Sequence, residues 1–255
     1  MKFGFVGAGA ITEAMVTGFL GSKLELSQVI VSPRSAETAA RLAARFSLVQ
    51  IANDNQAVVD ASDVLFLAVR PQVAEDVIKA LRFRQGQSIV SVIAATDRST
   101  IGSWIDQDVE LTLAIPLPFV ADGEGVTAIY PPSSRVASIF SATGGTVQCE
   151  TKEEYDLLAV ASSLMGTYFG ILDRTTEWLI SKGMPASKAR AYIAPLFASL
   201  SHTASKSDQA TFDNIRRKFS TKGGLNEQVF DDFYRKGGTK ALTDALDRVY
   251  RRIQG

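Results

Sequence analysis

Lys2-Phe3-Gly4-Phe5-Val6-Gly7-Ala8-Gly9-Ala10-Ile11-Thr12 decides the fold. Lys2 to Val6 reads as a short apolar strand, and Ile11, Met15 and Phe19 then recur at helical spacing. A glycine turn between strand and helix opens a βαβ unit, which makes it more specific than an isolated GxG. Gly7 permits the tight turn. Gly9 lets the backbone approach a pyrophosphate, which then sits at the positive end of the helix. Gly7, Ala8, Gly9, Ala10 and Ile11 are the first cofactor-binding candidates. Thr12 stands where a third glycine is usual, and Ala14 is expected to give the close helix–strand packing instead. The competing reading is a glycine turn with no ligand.

Outward from that turn, apolar runs alternate with amphipathic stretches. Strands are expected at 28–31, 64–69, 88–93, 111–115, 125–130 and 146–149, with helices at 37–46, 74–81 and 136–142. Val64 to Val69 is continuously apolar, as a strand covered on both faces must be. This alternation predicts an α/β fold, a Rossmann-like doubly wound and mostly parallel sheet. After 150 the pattern is helical throughout. Thr151 and Glu154 fit a capping box, and helices are expected at 157–172, 187–205, 226–235 and 239–253. The domains are therefore 1–150, a dinucleotide-binding domain, and 151–255, an all-α domain.

Composition narrows the function classes. Of 255 residues 46% are hydrophobic, and 27 basic residues balance 27 acidic ones. This is a globular chain without the basic excess of a nucleic-acid binder. One cysteine, Cys149, and one histidine, His202, leave no multi-Cys or multi-His metal site and make a Ser-His-Asp hydrolase improbable. No metal is expected. The N-terminus shows no signal-peptide pattern, and the apolar run Leu157 to Leu172 covers 16 residues, so a buried helix and a cytoplasmic location are expected.

The turn after the second strand, Val31-Ser32-Pro33-Arg34-Ser35, has no carboxylate to hold a ribose 2′-OH. Arg34 can pair with a 2′-phosphate, and Ser32 and Ser35 can donate to it, so NADP (as NADPH) is the expected cofactor. The alternative is that Arg34 is a solvated turn residue.

Phe66-Leu67-Ala68-Val69-Arg70-Pro71-Gln72 completes a recognisable pattern. With Gly7, Gly9 and Ala14, with Asn55, and with the Ser/Arg turn, the chain resembles the pyrroline-5-carboxylate reductase family over its whole length. The resemblance implies NADPH-dependent hydride transfer to the C=N carbon of a cyclic imine, and a homodimer or higher homo-oligomer built by the helical half. It adds Asn55, Ala68, Val69, Arg70 and Pro71 to the cofactor-binding set. Departures fall at the substrate end. The family's P-N-T-P is here Pro116-Leu117-Pro118-Phe119, its G-S-G-P-A-Y is Ser163 to Tyr168, and its G-G-T-T is Gly223-Gly224-Leu225-Asn226. The implied substrate-binding residues are Pro116, Gly223, Gly224, Leu225 and Asn226, with Asn226 and Glu227 as catalytic candidates. Asn226 offers an amide donor, and Glu227 an acid if its pKa is raised. The competing reading is that both merely cap the helix. A reductase of another imine or keto acid, and a non-catalytic NADP-binding regulator, are the other functions the departures allow.

Elsewhere, His202 and Cys149 read as structural. Tyr168 and Trp178 read as core or dimer contacts, and Pro195 predicts a kink or break in its helix.

Overall fold

The computed structural model describes residues 1–207 and 210–254. The chain forms two compact units, Met1–Ala159 and Val160–Gly255. The first unit carries β1 (Lys2–Val6), α1 (Ala10–Gly21), β2 (Gln28–Val31), α2 (Ala36–Arg45), β3 (Val49–Ile51), α3 (Asn55–Ala61) and β4 (Val64–Leu67). It continues with α4 (Pro71–Lys79), β5 (Ser88–Ser91), α5 (Arg98–Trp104), β6 (Glu110–Ile115), a 3₁₀ turn (Pro118–Asp122), β7 (Gly125–Tyr130), α6 (Ser134–Ser141) and β8 (Gly144–Gln148). The helix α7 (Lys152–Ser162) begins in this unit, beyond the boundary expected at 150.

The eight strands form one sheet in the order β3-β2-β1-β4-β5-β6-β7-β8, parallel except for the β6–β7 pair. The chain runs outward from β1 to β3 and then crosses back to β4. Such a switch point leaves a crevice at the carboxyl ends of β1 and β4. Along β1, Phe3 and Phe5 turn to one face of the sheet and Val6 to the other. On β4, Phe66 and Val64 face one side, Leu65 and Leu67 the other. Period-2 alternation with apolar residues on both faces requires helices on both sides. The first face is aromatic: Phe66 stacks on Phe5 at 4.6 Å and meets Phe3 edge-on at 5.3 Å. Phe19 of α1 and Phe140 of α6 close this cluster, their rings 5.6 Å apart.

Gly18 brings α1 close to the 3₁₀ turn. A Cβ at Gly18 would collide with the Val120 carbonyl oxygen in the 3₁₀ turn, whereas Ala14 is a partly buried residue at the edge of the aromatic core. Sequence reading also missed β3, α3 and α5, each of seven residues or fewer and too short to display a period. The Thr151 cap is present: its Oγ1 accepts the Glu154 N–H at 3.2 Å. Glu154 reaches back to the Glu150 N–H at 2.8 Å. Cys149 is buried directly after β8.

The second unit is all helical: α8 (Leu164–Ser181), α9 (Ala186–Ser205), α10 (Phe212–Lys218), α11 (Leu225–Arg235) and α12 (Gly238–Gln254). α8 and α9 pack together, with Tyr168 edge-on to Phe197 at 5.9 Å. Pro195 lies inside α9, which is assigned as one helix from end to end. The stretch 157–172 is not one buried helix: it is divided between the end of α7, where Val160 is buried, and the start of α8, which contains no buried residue. Phe169 is 57% exposed and Trp178 58%, so neither is a core residue of the isolated chain. His202 is likewise exposed. Among the described residues, Lys152–Ser181, with mean hydropathy 1.3, is long and apolar enough to cross a membrane by length and composition.

Candidate functional site

The carboxyl edge of the sheet gathers the cofactor candidates. Gly7 to Ile11 follow β1, Ser32 to Ser35 follow β2, Asn55 follows β3, Ala68 to Pro71 follow β4, and Pro116 follows β6. These strands are mutually parallel, so all five segments emerge on one edge.

The glycine loop is set by backbone geometry. Gly7 adopts φ +105°, and a Cβ there would collide with the Ala68 carbonyl oxygen. Only glycine allows the β1 and β4 exits to run this close. Ala68 N–H donates to the Val6 carbonyl at 2.8 Å, joining the two exits. Thr12, fully buried, donates its hydroxyl to the Gly7 carbonyl at 2.8 Å. The residue in the third-glycine position thus locks the loop. Gly9 caps α1 without a side-chain bond and faces open space. The free N–H groups of this 12-residue helix point at that space, which suits a pyrophosphate. Ala8 is buried and offers only its backbone, while Ala10 is exposed.

Ser32 corrects the sequence reading. It is fully buried, and its Oγ accepts the Gly7 N–H at 3.0 Å. It braces the glycine loop rather than presenting a donor to solvent. Arg34 is exposed, and Ser35, the N-cap of α2, makes no side-chain capping bond. Both side chains are free to meet a phosphate. Arg41 pairs with Glu13 at 3.0 Å and with Glu37 at 2.8 Å, so one guanidinium offsets one of these two carboxylate charges. The Arg41 guanidinium holds the Glu13 carboxyl below the usual range. Sequence reading missed this clamp, because its partners lie on different helices.

Asn55 is the first residue of α3, whose N-cap is Asp54; the Asp54 carboxylate accepts the Ala57 N–H at 2.8 Å. Ala68 and Val69 are half-buried, whereas Arg70 and Pro71 are exposed at the start of α4, with Pro71 at the position that lacks an intrahelical N–H partner. Pro116 is buried directly after β6.

In the second unit, Gly223 takes φ +72° and Gly224 caps α11. The Gly224 N–H donates to the Thr221 carbonyl at 2.8 Å. Glu227 Oε2 accepts the Gly223 N–H at 2.6 Å, and Asn226 Nδ2 donates to the Phe219 carbonyl at 2.8 Å. Both catalytic candidates are thus in capping roles, since each finds a backbone partner within seven residues in the chain. Leu225 is 80% exposed.

A doubly wound sheet with an open glycine loop at its switch point, followed by a helical unit, defines the class of two-domain nicotinamide-dinucleotide oxidoreductases. Known proteins narrow it. The family model described as NADP oxidoreductase coenzyme F420-dependent matches residues 2–95, and that described as pyrroline-5-carboxylate reductase dimerisation matches residues 155–255. The pyrroline-5-carboxylate reductase of Pseudomonas aeruginosa is 22% identical over 98% of this chain and 95% of its own length. The solved 1-pyrroline-5-carboxylate reductase of Streptococcus pyogenes superposes with a TM-score of 0.85 at 22% identity, over 99% of this chain and 98% of that one. The Plasmodium falciparum pyrroline carboxylate reductase, solved with NADP bound, gives a TM-score of 0.84 at 13% identity over 99% and 97%. The chain belongs to the pyrroline-5-carboxylate reductase family.

Proposed function

We propose that this protein reduces 1-pyrroline-5-carboxylate to proline with NADPH. The observation that carries the reading is the α1 N-terminus, open at Gly9, together with an exposed Arg34 in the turn after β2. When bound, NADPH supplies the hydride that adds to the C=N carbon. The backbone of Gly7 to Ile11 holds the pyrophosphate. Arg34 and Ser35 hold the 2′-phosphate, and the backbone around Ala68 and Val69 lines the crevice toward the other half of the cofactor. Arg70, Pro71 and Asn55 flank it. This set needs no ionised side chain at the reacting atoms, which suits a reaction dominated by positioning. In the helical unit, the Gly223–Asn226 turn is the substrate segment that the resemblance implies.

The names of the relatives support the substrate, and the match of residues 155–255 to a dimerisation domain supports a homo-oligomer. A second copy of the chain accounts for the apolar side chains that the helical unit exposes, Trp178, Tyr192, Phe212 and Val229 among them. A cytoplasmic location is part of the same reading.

A second reading is reduction of another imine or a keto acid. It is favoured by the Glu227 bond to Gly223, which puts a carboxylate on the turn assigned to an anionic substrate. Purified protein given NADPH and pyrroline-5-carboxylate should lose absorbance at the nicotinamide band. A rate indistinguishable from the substrate-free control refutes the assignment, and a panel of cyclic imines and 2-oxo acids then decides the second reading.

A further inference from the structure

We propose that Lys152 is a positioning residue for the reducing half of the dinucleotide site, acting through Asp97 on the strained loop that follows β5. The proposal rests on the dinucleotide reading above. Its observations all lie within the first unit.

The segment 92–97 leaves β5 beside the exit of β4. Leu67 and Ser91 are paired in register, and the Val92 N–H donates to the Leu67 carbonyl at 3.0 Å. The loop therefore borders Ala68 and Val69 on the side away from β2, where Arg34 marks the adenosine end. It is also the one place among the described residues where a non-glycine has positive φ: Ala95, at +49°. A left-handed alanine persists only where its surroundings impose it.

Asp97 ties the far end of this loop to α7. It occupies the N-cap of α5, a position where aspartate ordinarily accepts a backbone N–H, yet it makes no side-chain capping bond. Its Oδ1 lies 3.1 Å from the Lys152 ammonium instead. Lys152, in the first turn of α7, is held in turn by Asp156 at 2.5 Å, a residue only 5% exposed. Beyond Asp97 the chain is tied down again, since Arg98 Nε donates to the Leu111 carbonyl of β6 at 2.9 Å. The strained loop is thus stretched between β5 and an ionic anchor on α7. A local cap for Asp97 and a glycine at 95 would satisfy the fold more simply. The chain uses neither, which points to a loop whose shape is set for the site it borders.

The test compares wild type, Lys152→Met and Lys152→Arg as full-length protein. Hydrogen exchange in the cofactor-free protein should show the amides of 93–97 exchanging faster in Lys152→Met and restored in Lys152→Arg. NADPH affinity should stay within about twofold, because the pyrophosphate and 2′-phosphate contacts are untouched. Turnover of pyrroline-5-carboxylate should fall about tenfold or more in kcat, and Lys152→Arg should recover most of it. The primary deuterium isotope effect from labelled NADPH should rise in Lys152→Met. Unchanged exchange at 93–97 overturns the proposal. So does faster exchange with kcat intact, or a kcat loss that merely parallels loss of NADPH binding and of folding. If wild type does not reduce this substrate, the substrate reading has failed, and bound-NADPH fluorescence decides in its place. An altered emission in Lys152→Met upholds the proposal and an identical one overturns it.

Discussion

Replacing Ser32 with alanine separates two roles that a sequence cannot distinguish. If the hydroxyl bound the 2′-phosphate, its loss would weaken NADPH and leave NADH untouched. In the structure, Ser32 is fully buried and its Oγ accepts the Gly7 N–H at 3.0 Å, two residues before the loop opens at Gly9. Ser32→Ala removes that acceptor and leaves no other group of the protein in its place. An orphaned buried donor costs about 1–3 kcal/mol. Gly7 is only half-buried, and water can reach part of the vacancy, so the lower end applies, about 1 kcal/mol. For a chain of this length that is about 2–4 °C in Tm. The same displacement moves the Gly7–Ile11 backbone away from the pyrophosphate, which both coenzymes carry. Affinities for NADPH and NADH should therefore fall together, with their ratio preserved within about twofold, or about 0.4 kcal/mol. Thermal unfolding of the cofactor-free protein and parallel fluorescence titrations with the two coenzymes measure this. Unchanged Tm with a loss confined to NADPH refutes the brace and restores the phosphate contact.

Three further outcomes follow from the same geometry. Arg34→Glu should weaken NADPH by about 1–3 kcal/mol more than NADH, by loss of a charge-assisted pair; equal losses in the two titrations would remove Arg34 from phosphate recognition. Gly18→Ala should destabilise the first unit by about 1–3 kcal/mol, because its Cβ meets the backbone carbonyl of Val120 and not a movable side chain; urea unfolding measures it, and an unchanged midpoint would contradict the close approach. Burial raises the Tyr155 hydroxyl far above its ordinary range, with the charges of Cys149 and Asp156 adding to the effect. The folded state keeps that proton, so this contribution to stability is intact below the unfolded value of about pH 10 and declines as pH rises further; Tyr155→Phe should flatten the decline in unfolding measured between about pH 9 and 11.

Residues 2–12 were readable because their roles are backbone roles. Gly7 must take positive φ beside Ala68, and a strand-turn-helix sequence announces that need through glycine alone. The run at Val64 to Leu67 was readable for a similar reason: only a strand covered on both faces is apolar at every position. Ser32 was placed correctly in the chain but given the wrong partner. A serine after β2 can turn outward to a phosphate or inward to Gly7, and composition is the same either way. The Arg41 clamp on Glu13 and the Gly18 contact with Val120 join elements 28 and 102 residues apart, so no local pattern contains them.

The helical unit fails to yield to sequence for a different physical reason. An apolar period states that a face must be covered, not by what. Phe169, Ile171 and Trp178 predict burial as strongly as Phe3, Phe5 and Phe66 do, yet the first three are about half exposed and the last three are wholly enclosed. The difference lies in connectivity. Strand residues are covered by helices that the same chain folds back over the sheet, while α8 has within its own unit chiefly α9 to pack against. Apolar side chains left at this exposure on several helices favour association with a like surface, because each buried side chain contributes about 1.5–3 kcal/mol. The same limit explains Asn226 and Glu227. Their polarity marked them as chemical candidates, but each satisfies a backbone group of its own turn, at Phe219 and Gly223. A polar residue beside a helix start is recruited first by the orphan N–H and C=O groups nearest to it. Chemistry assigned to such a residue therefore has to displace a bond already made, and the burden falls on the neighbouring backbone of the Gly223–Gly224 turn to hold whatever anion the unit accepts.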